Sequence, residues 1–129
     1  EMSMELPVPG ILESPFGVFE SKIFSYKKQK IEEKKYTKWF DYDKIKNSPC
    51  VRTRRQGDYL TVNSEGGRKK LNRIFIDEKI PAEMRDRLPV VAAGSEILWI
   101  PGGRMNEKYK ITSTTGRVLE LHYQGGALA

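Results

Sequence analysis

Cysteine and histidine are nearly absent: Cys50 and His122 are the only examples in 129 residues. A lone thiol cannot close an internal disulfide, and one Cys with one His cannot make a zinc-ligand cluster or a Cys–His catalytic pair. Cys50, in "SPCVRT", enters a strand pattern and reads as a small packed apolar residue. His122 alternates with Leu119, Leu121 and Tyr123 in "VLELHY", which points it outward from a strand. No stretch approaches the ~18 apolar residues of a membrane-spanning helix, and the opening residues do not resemble a secretory signal. The expected setting is therefore the cytoplasm, with no membrane partner. G-x-S-x-G and H-E-x-x-H are missing, and "EGGRKK" lacks the spacing of a Walker phosphate loop. The pairs Asp41/Asp43 and Asp77/Glu78 read as surface acids. No catalytic residue is expected in this chain.

Acids are also the minority, 17 Asp plus Glu against 23 Lys plus Arg, for a net charge of +6. The excess is uneven. Between Val51 and Arg73, seven basic residues (Arg52, Arg54, Arg55, Arg68, Lys69, Lys70, Arg73) face two acidic ones (Asp58, Glu65), a net +5. A local positive field of this kind favours a polyanionic partner. The lysine-rich stretch 27–38 has acids in its middle and reads as a solvated hairpin or a mobile excursion.

At this length one domain is expected, spanning 1–129. Residues 1–49 hold the opening strands and the lysine-rich excursion, 50–123 the core, and 124–129 a frayed tail. "ELPVPGILESPFG" predicts short β segments, and "GVFESKIFSY" and "KWFDYD" predict strands. "DKIKNSP" reads as a turn. "CVRTRRQGDYLTV" reads as two strands broken at Gly57-Asp58, with Val51 and Thr53 on one face and Arg52 and Arg54 on the other. Leu71, Ile74 and Phe75 recur at helical spacing, and Arg68, Lys69 and Lys70 stand where that helix begins. "PAEMRDR" predicts a short helix with Pro81 at its first position and an i,i+4 pair between Glu83 and Arg87. "LPVVAAG" and "EILWIPGG" are apolar runs of strand length, covered on both faces. "EKYKITS" and "RVLELHY" predict two more strands. The outline is α+β, mainly β, with one central helix.

Three cations at a helix start run against the helix dipole. Gly66 and Gly67 would let backbone approach an anion, and the free N–H groups of a helix start could donate to it, with the three cations around it. The alternative is that the charges fan into water, screened from one another.

"VRTRRQGDYLTV", "GGRKKLNRIFIDEKIPAEMRDRLPVV" and "EILWIPGGRMNEKYKIT" together resemble, in order and spacing, the C-terminal domain of bacterial tRNA(Ile)-lysidine synthetases. The likeness covers about residues 50–112, and "LPVPG" is similar to the strand that opens that domain. The resemblance implies a compact three-layer fold with a β-sandwich of unusual topology, shared with a domain of the phenylalanyl-tRNA synthetase β chain. It also implies a parent enzyme that uses ATP, with magnesium, to join lysine to the wobble cytidine of an isoleucine tRNA. Its S-G-G-x-D-S loop belongs to an N-terminal ATP-pyrophosphatase domain and is not in this sequence, so the implied role here is recognition of the tRNA acceptor stem. Lys69 and Lys70 match the family's lysine pair, and Arg52, Arg54 and Arg55 its basic strand. With Arg68 and Arg73 they form the expected tRNA-binding set. Gly57, Asp58, Phe75, Pro81 and Pro89 match motif positions assigned to turns and core. Tyr59 and Leu60 depart from the family's Arg-Phe and remove one cation. The competing reading is a protein-interaction or structural domain whose basic face meets another protein surface.

Overall fold

The computed structural model describes residues 3–125. Among these, the elements run β1 (Ser3–Glu5), β2 (Gly10–Ser14), β3 (Gly17–Ser25), β4 (Thr37–Asp41), β5 (Cys50–Arg52), β6 (Tyr59–Thr61), β7 (Arg68–Lys70), α1 (Leu71–Asp77), β8 (Val90–Ala93), β9 (Glu96–Trp99) and β10 (Arg117–Gly125). They build a six-stranded sheet, β1-β5-β8-β9-β6-β7, and a four-stranded sheet, β2-β3-β10-β4. Helix α1 packs on the six-stranded sheet through a second apolar core that includes Leu60, Val90 and Ile97. This makes three layers, as the resemblance implies.

Alternation along the strands produces the two cores. In β8, Val91 and Ala93 pack between the sheets while Val90 and Ala92 pack toward α1. An apolar residue is thus required at every position of β8, and all four are buried. In β9, Ile97 faces α1, but Leu98 and Trp99 both join the inter-sheet core. The register explains it. Val91 pairs with Trp99 and Ala92 with Ile97, so Leu98 is the extra residue of a bulge that resets the alternation. On α1, Leu71, Ile74 and Phe75 are buried while Ile76, off the stripe, is 49% exposed. Each buried side chain contributes about 1.5–3 kcal/mol of transfer free energy, which is what holds a seven-residue helix too short to persist alone.

Several local expectations change. β3 and β4 do not form a hairpin, because β10 lies between them and pairs with both. The lysine-rich connection crosses that strand instead, and residues 27–36 are exposed. "PAEMRDR" forms a 3-10 turn, Ala82–Met84, with Pro81 as its N-cap. Pro89 disfavours helical backbone at Leu88, and the turn buries no residue that could hold a longer helix as Leu71, Ile74 and Phe75 hold α1. Arg85 instead donates from Nε to the Ile80 carbonyl at 2.9 Å. No Glu83–Arg87 ion pair occurs among the described residues.

"EKYKITS" is not a strand either. Asn106, fully buried, donates to the Ile97 carbonyl at 2.8 Å and caps a 3-10 turn, Glu107–Tyr109, by accepting from the Lys108 N–H. Burial of Tyr109 completes the anchor, and tertiary contacts override β propensity here. Gln124 and Gly125, expected in the tail, extend β10. The rest of that tail, 126–129, lies outside the described residues. Cys50 is half-buried against the helix-side core. His122 is exposed on the outer face, its Nδ1 2.7 Å from the Thr37 hydroxyl.

Candidate nucleic-acid interface

Arg52 leaves the expected binding set. Its side chain and that of Asp58 are each 1% exposed. The guanidinium makes a bidentate pair with the Asp58 carboxylate, both bonds at 2.8 Å, and also donates to the Gly94 and Thr53 carbonyls. The Asp58 bond raises the Arg52 pKa further above its ordinary value, so the charge stays fixed. Asp58 accepts the Arg55 N–H at 2.7 Å as well, and its own carbonyl accepts from Leu71 N–H at 2.9 Å. Gly57, with φ at +91°, permits the turn that brings this carboxylate back to β5. The Gly-Asp motif is therefore a clasp joining β5, β6 and the start of α1.

The basic triplet is a strand, not the first turn of a helix. Arg68–Lys70 form β7 at the edge of the six-stranded sheet, paired with β6 as Tyr59↔Lys70, Leu60↔Lys69 and Thr61↔Arg68. Helix α1 begins only at Leu71, after Lys70 in extended conformation as its N-cap. Alternation splits the cations: Arg68 and Lys70 share a face with Tyr59 and Thr61, whereas Lys69 points to the helix side with Leu60. The phosphate cradle expected at the glycines is filled by protein. Asn63 Oδ1 accepts from the N–H groups of Gly67 (2.9 Å) and Glu65 (3.0 Å), and Val62 N–H donates to the Gly67 carbonyl. A Cβ on Gly67 would lie 2.5 Å from Asn63 Nδ2, so glycine is needed there for asparagine, not for an anion.

The remaining cations gather around this sheet edge. Lys69 Nζ is 2.7 Å from Asp77 Oδ2, and Arg73 Nε is 3.2 Å from Asp77 Oδ1. The Lys69 bond holds the Asp77 carboxyl below the usual carboxylate range, with the fields of Arg73 and Arg104 adding to it. Arg54 donates to Asp86 Oδ1 at 2.8 Å and to Asn72 Oδ1 at 3.0 Å, which fixes it beside the first turn of α1. Arg55 is exposed at the same end.

On the other face of the edge, the Arg68 guanidinium lies over the Tyr59 ring at 4.7 Å. Position 59, where the resemblance leads to an expectation of Arg, holds an aromatic platform with a cation beside it. Lys70 is exposed next to the pair and has no side-chain partner among the described residues. The row continues across the sheet, since Tyr59 also pairs with Glu96 of β9. Glu96 accepts from the Tyr109 hydroxyl and lies 3.6 Å from Lys108 Nζ. Burial, then that Glu96 bond, pushes the Tyr109 phenol well above its usual range, leaving it a neutral donor. Arg104 and Lys108 were not in the expected set. Only the folded register, which lays β9 beside β6, brings them to it.

Three of the four paired acids have structural partners, Asp77 through Lys69 and Arg73 as above. Asp41 is 4% exposed and accepts from the Thr115 hydroxyl at 2.9 Å, and Asp43 is ion-paired with Arg117 at 2.6 Å. Neither forms an acid/base dyad with its neighbour. Cations from the loop after β5, from β7, from α1 and from residues 104–108 surround one strand edge. Such an arrangement presents a positive surface to a polyanion.

The family model "TilS substrate C-terminal domain" matches residues 50–121, more than half of the chain. A tRNA(Ile)-lysidine synthase of Caldanaerobacter subterraneus subsp. tengcongensis is 50% identical over 88 residues, covering 68% of this chain and 19% of that protein. One from Geobacillus kaustophilus is 38% identical over 123 residues, covering 93% of this chain and 26% of that protein. The chain thus spans about a fifth to a quarter of the length of these relatives. A solved structure described as the crystal structure of a TilS C-terminal domain matches with a TM-score of 0.79 at 33% identity, covering 96% of each chain. The clasp and the edge strand fall within residues 50–121, the three layers within the 96% of the chain that the solved structure covers, and the chain belongs to the TilS substrate C-terminal domain family.

Proposed function

We propose that this chain is the tRNA-docking part of a tRNA(Ile)-lysidine synthetase and that the β6–β7–α1 edge binds the acceptor stem of an isoleucine tRNA. The observation that carries this reading is the convergence of cations from four chain segments on one sheet edge, with a Tyr59–Arg68 stack among them. Lysine transfer, ATP and its magnesium belong to a part of the protein outside this chain, and the expected cellular setting is the cytoplasm. Among the described residues no helix is long and apolar enough to cross a membrane.

A fluorescently labelled RNA hairpin carrying the acceptor stem tests the reading. Its affinity for the domain is expected to fall linearly, on logarithmic axes, with salt, at about 0.9 per phosphate contacted. Absent or salt-independent binding would rule the interface out. A protein-interaction role would then be the reading to pursue.

A further inference from the structure

Surface carboxylates at a polyanion-binding edge ordinarily oppose binding, yet Asp77 is engaged with two of the cations themselves. Its two oxygens take separate partners from different elements, Lys69 from β7 and Arg73 from α1. Arg104, from the segment after β9, adds its field to the same carboxylate. Lys69 and Arg73 remain 38% and 66% exposed, so each presents further N–H groups to solvent while one is held. Long cationic side chains lose rotamer freedom when they bind, and a side chain already held in place loses less.

We propose that Asp77 is a positioning residue: it holds Lys69 and Arg73 at a fixed spacing for phosphates of the bound RNA, so removing its negative charge weakens binding of a polyanion. The inference rests on the RNA-binding reading above. It differs in sign from simple charge counting, by which Asp77→Ala, raising the formal net charge by one from +6, should tighten binding.

The test compares Asp77→Ala and Asp77→Asn with the unaltered domain, using the same acceptor-stem hairpin and thermal unfolding as a check of folding. A family relative has been crystallised as this domain alone, so the isolated chain is a suitable material. Asp77→Ala is expected to lose about fivefold in affinity, with an unfolding midpoint close to that of the parent. Asp77→Asn, which keeps an acceptor oxygen without the charge, should lose less. In a Lys69→Ala/Arg73→Ala background Asp77→Ala should bring no further loss, because nothing remains to be positioned. Equal or tighter binding by Asp77→Ala, or the same loss in the double-substituted background, would overturn the proposal while leaving RNA binding intact. Failure of the unaltered domain to bind would overturn both.

Discussion

Asp58→Ala is expected to lower the stability of the domain by about 3–5 kcal/mol, the cost of leaving one member of a buried ion pair without its partner. Arg52 would keep its charge at 1% exposure with only the Gly94 and Thr53 carbonyls to face it. The Arg55 N–H would lose its acceptor as well. Domains of this size have about 5–15 kcal/mol in total, so urea unfolding should show a large fall in midpoint. Changing both partners, Arg52→Met with Asp58→Ala, should cost less than Asp58→Ala alone, since no buried charge is then stranded. If Asp58→Ala unfolded at the parent's midpoint, Arg52 would not be the clasp described here.

The second large effect concerns binding. Arg68, Lys70 and Lys108 lie on the Tyr59 side of the edge, and none is buried in the fold as Arg52 is. Replacing all three by Ala should flatten the dependence of log affinity on log salt by about 3 units. Extrapolated from molar salt, where such contacts contribute little, this corresponds to a loss of roughly 10³-fold near ~0.1 M. The hydrogen bonds of the clasp and the apolar cores are untouched by these changes, so the unfolding midpoint should move little. Parallel salt slopes for parent and variant would place the RNA elsewhere.

How much of this was legible beforehand varies with the physics involved. The Leu71, Ile74, Phe75 stripe and the apolar runs of β8 and β9 declare themselves, because burial on one helix face or both strand faces writes a period into the sequence. β7 did not. Three cations beside a helical stripe look like its first turn, and only pairing with Tyr59–Thr61 makes them a strand. Arg52 is another such case: a buried arginine reads as any other arginine until its carboxylate is found six residues away. Arg104 and Lys108 joined the site through the β6–β9 register, a long-range pairing with no local signature. Asn106 likewise overrides the strand pattern of "EKYKITS" through a buried side-chain hydrogen bond to Ile97. The break at Gly57-Asp58 and the start at Pro81 were readable from residue type alone, and the structure explains the first by the carboxylate that Gly57 turns back to Arg52.

Which surface meets RNA can be read from backbone amide chemical-shift mapping. Titrating the isotopically labelled domain with the acceptor-stem hairpin should perturb residues 54–61, 68–77 and 104–109. The outer face of the four-stranded sheet, with Ile11, Val18 and His122 exposed on it, should stay unchanged. Perturbations centred on that four-stranded face, with β6, β7 and α1 silent, would contradict the account.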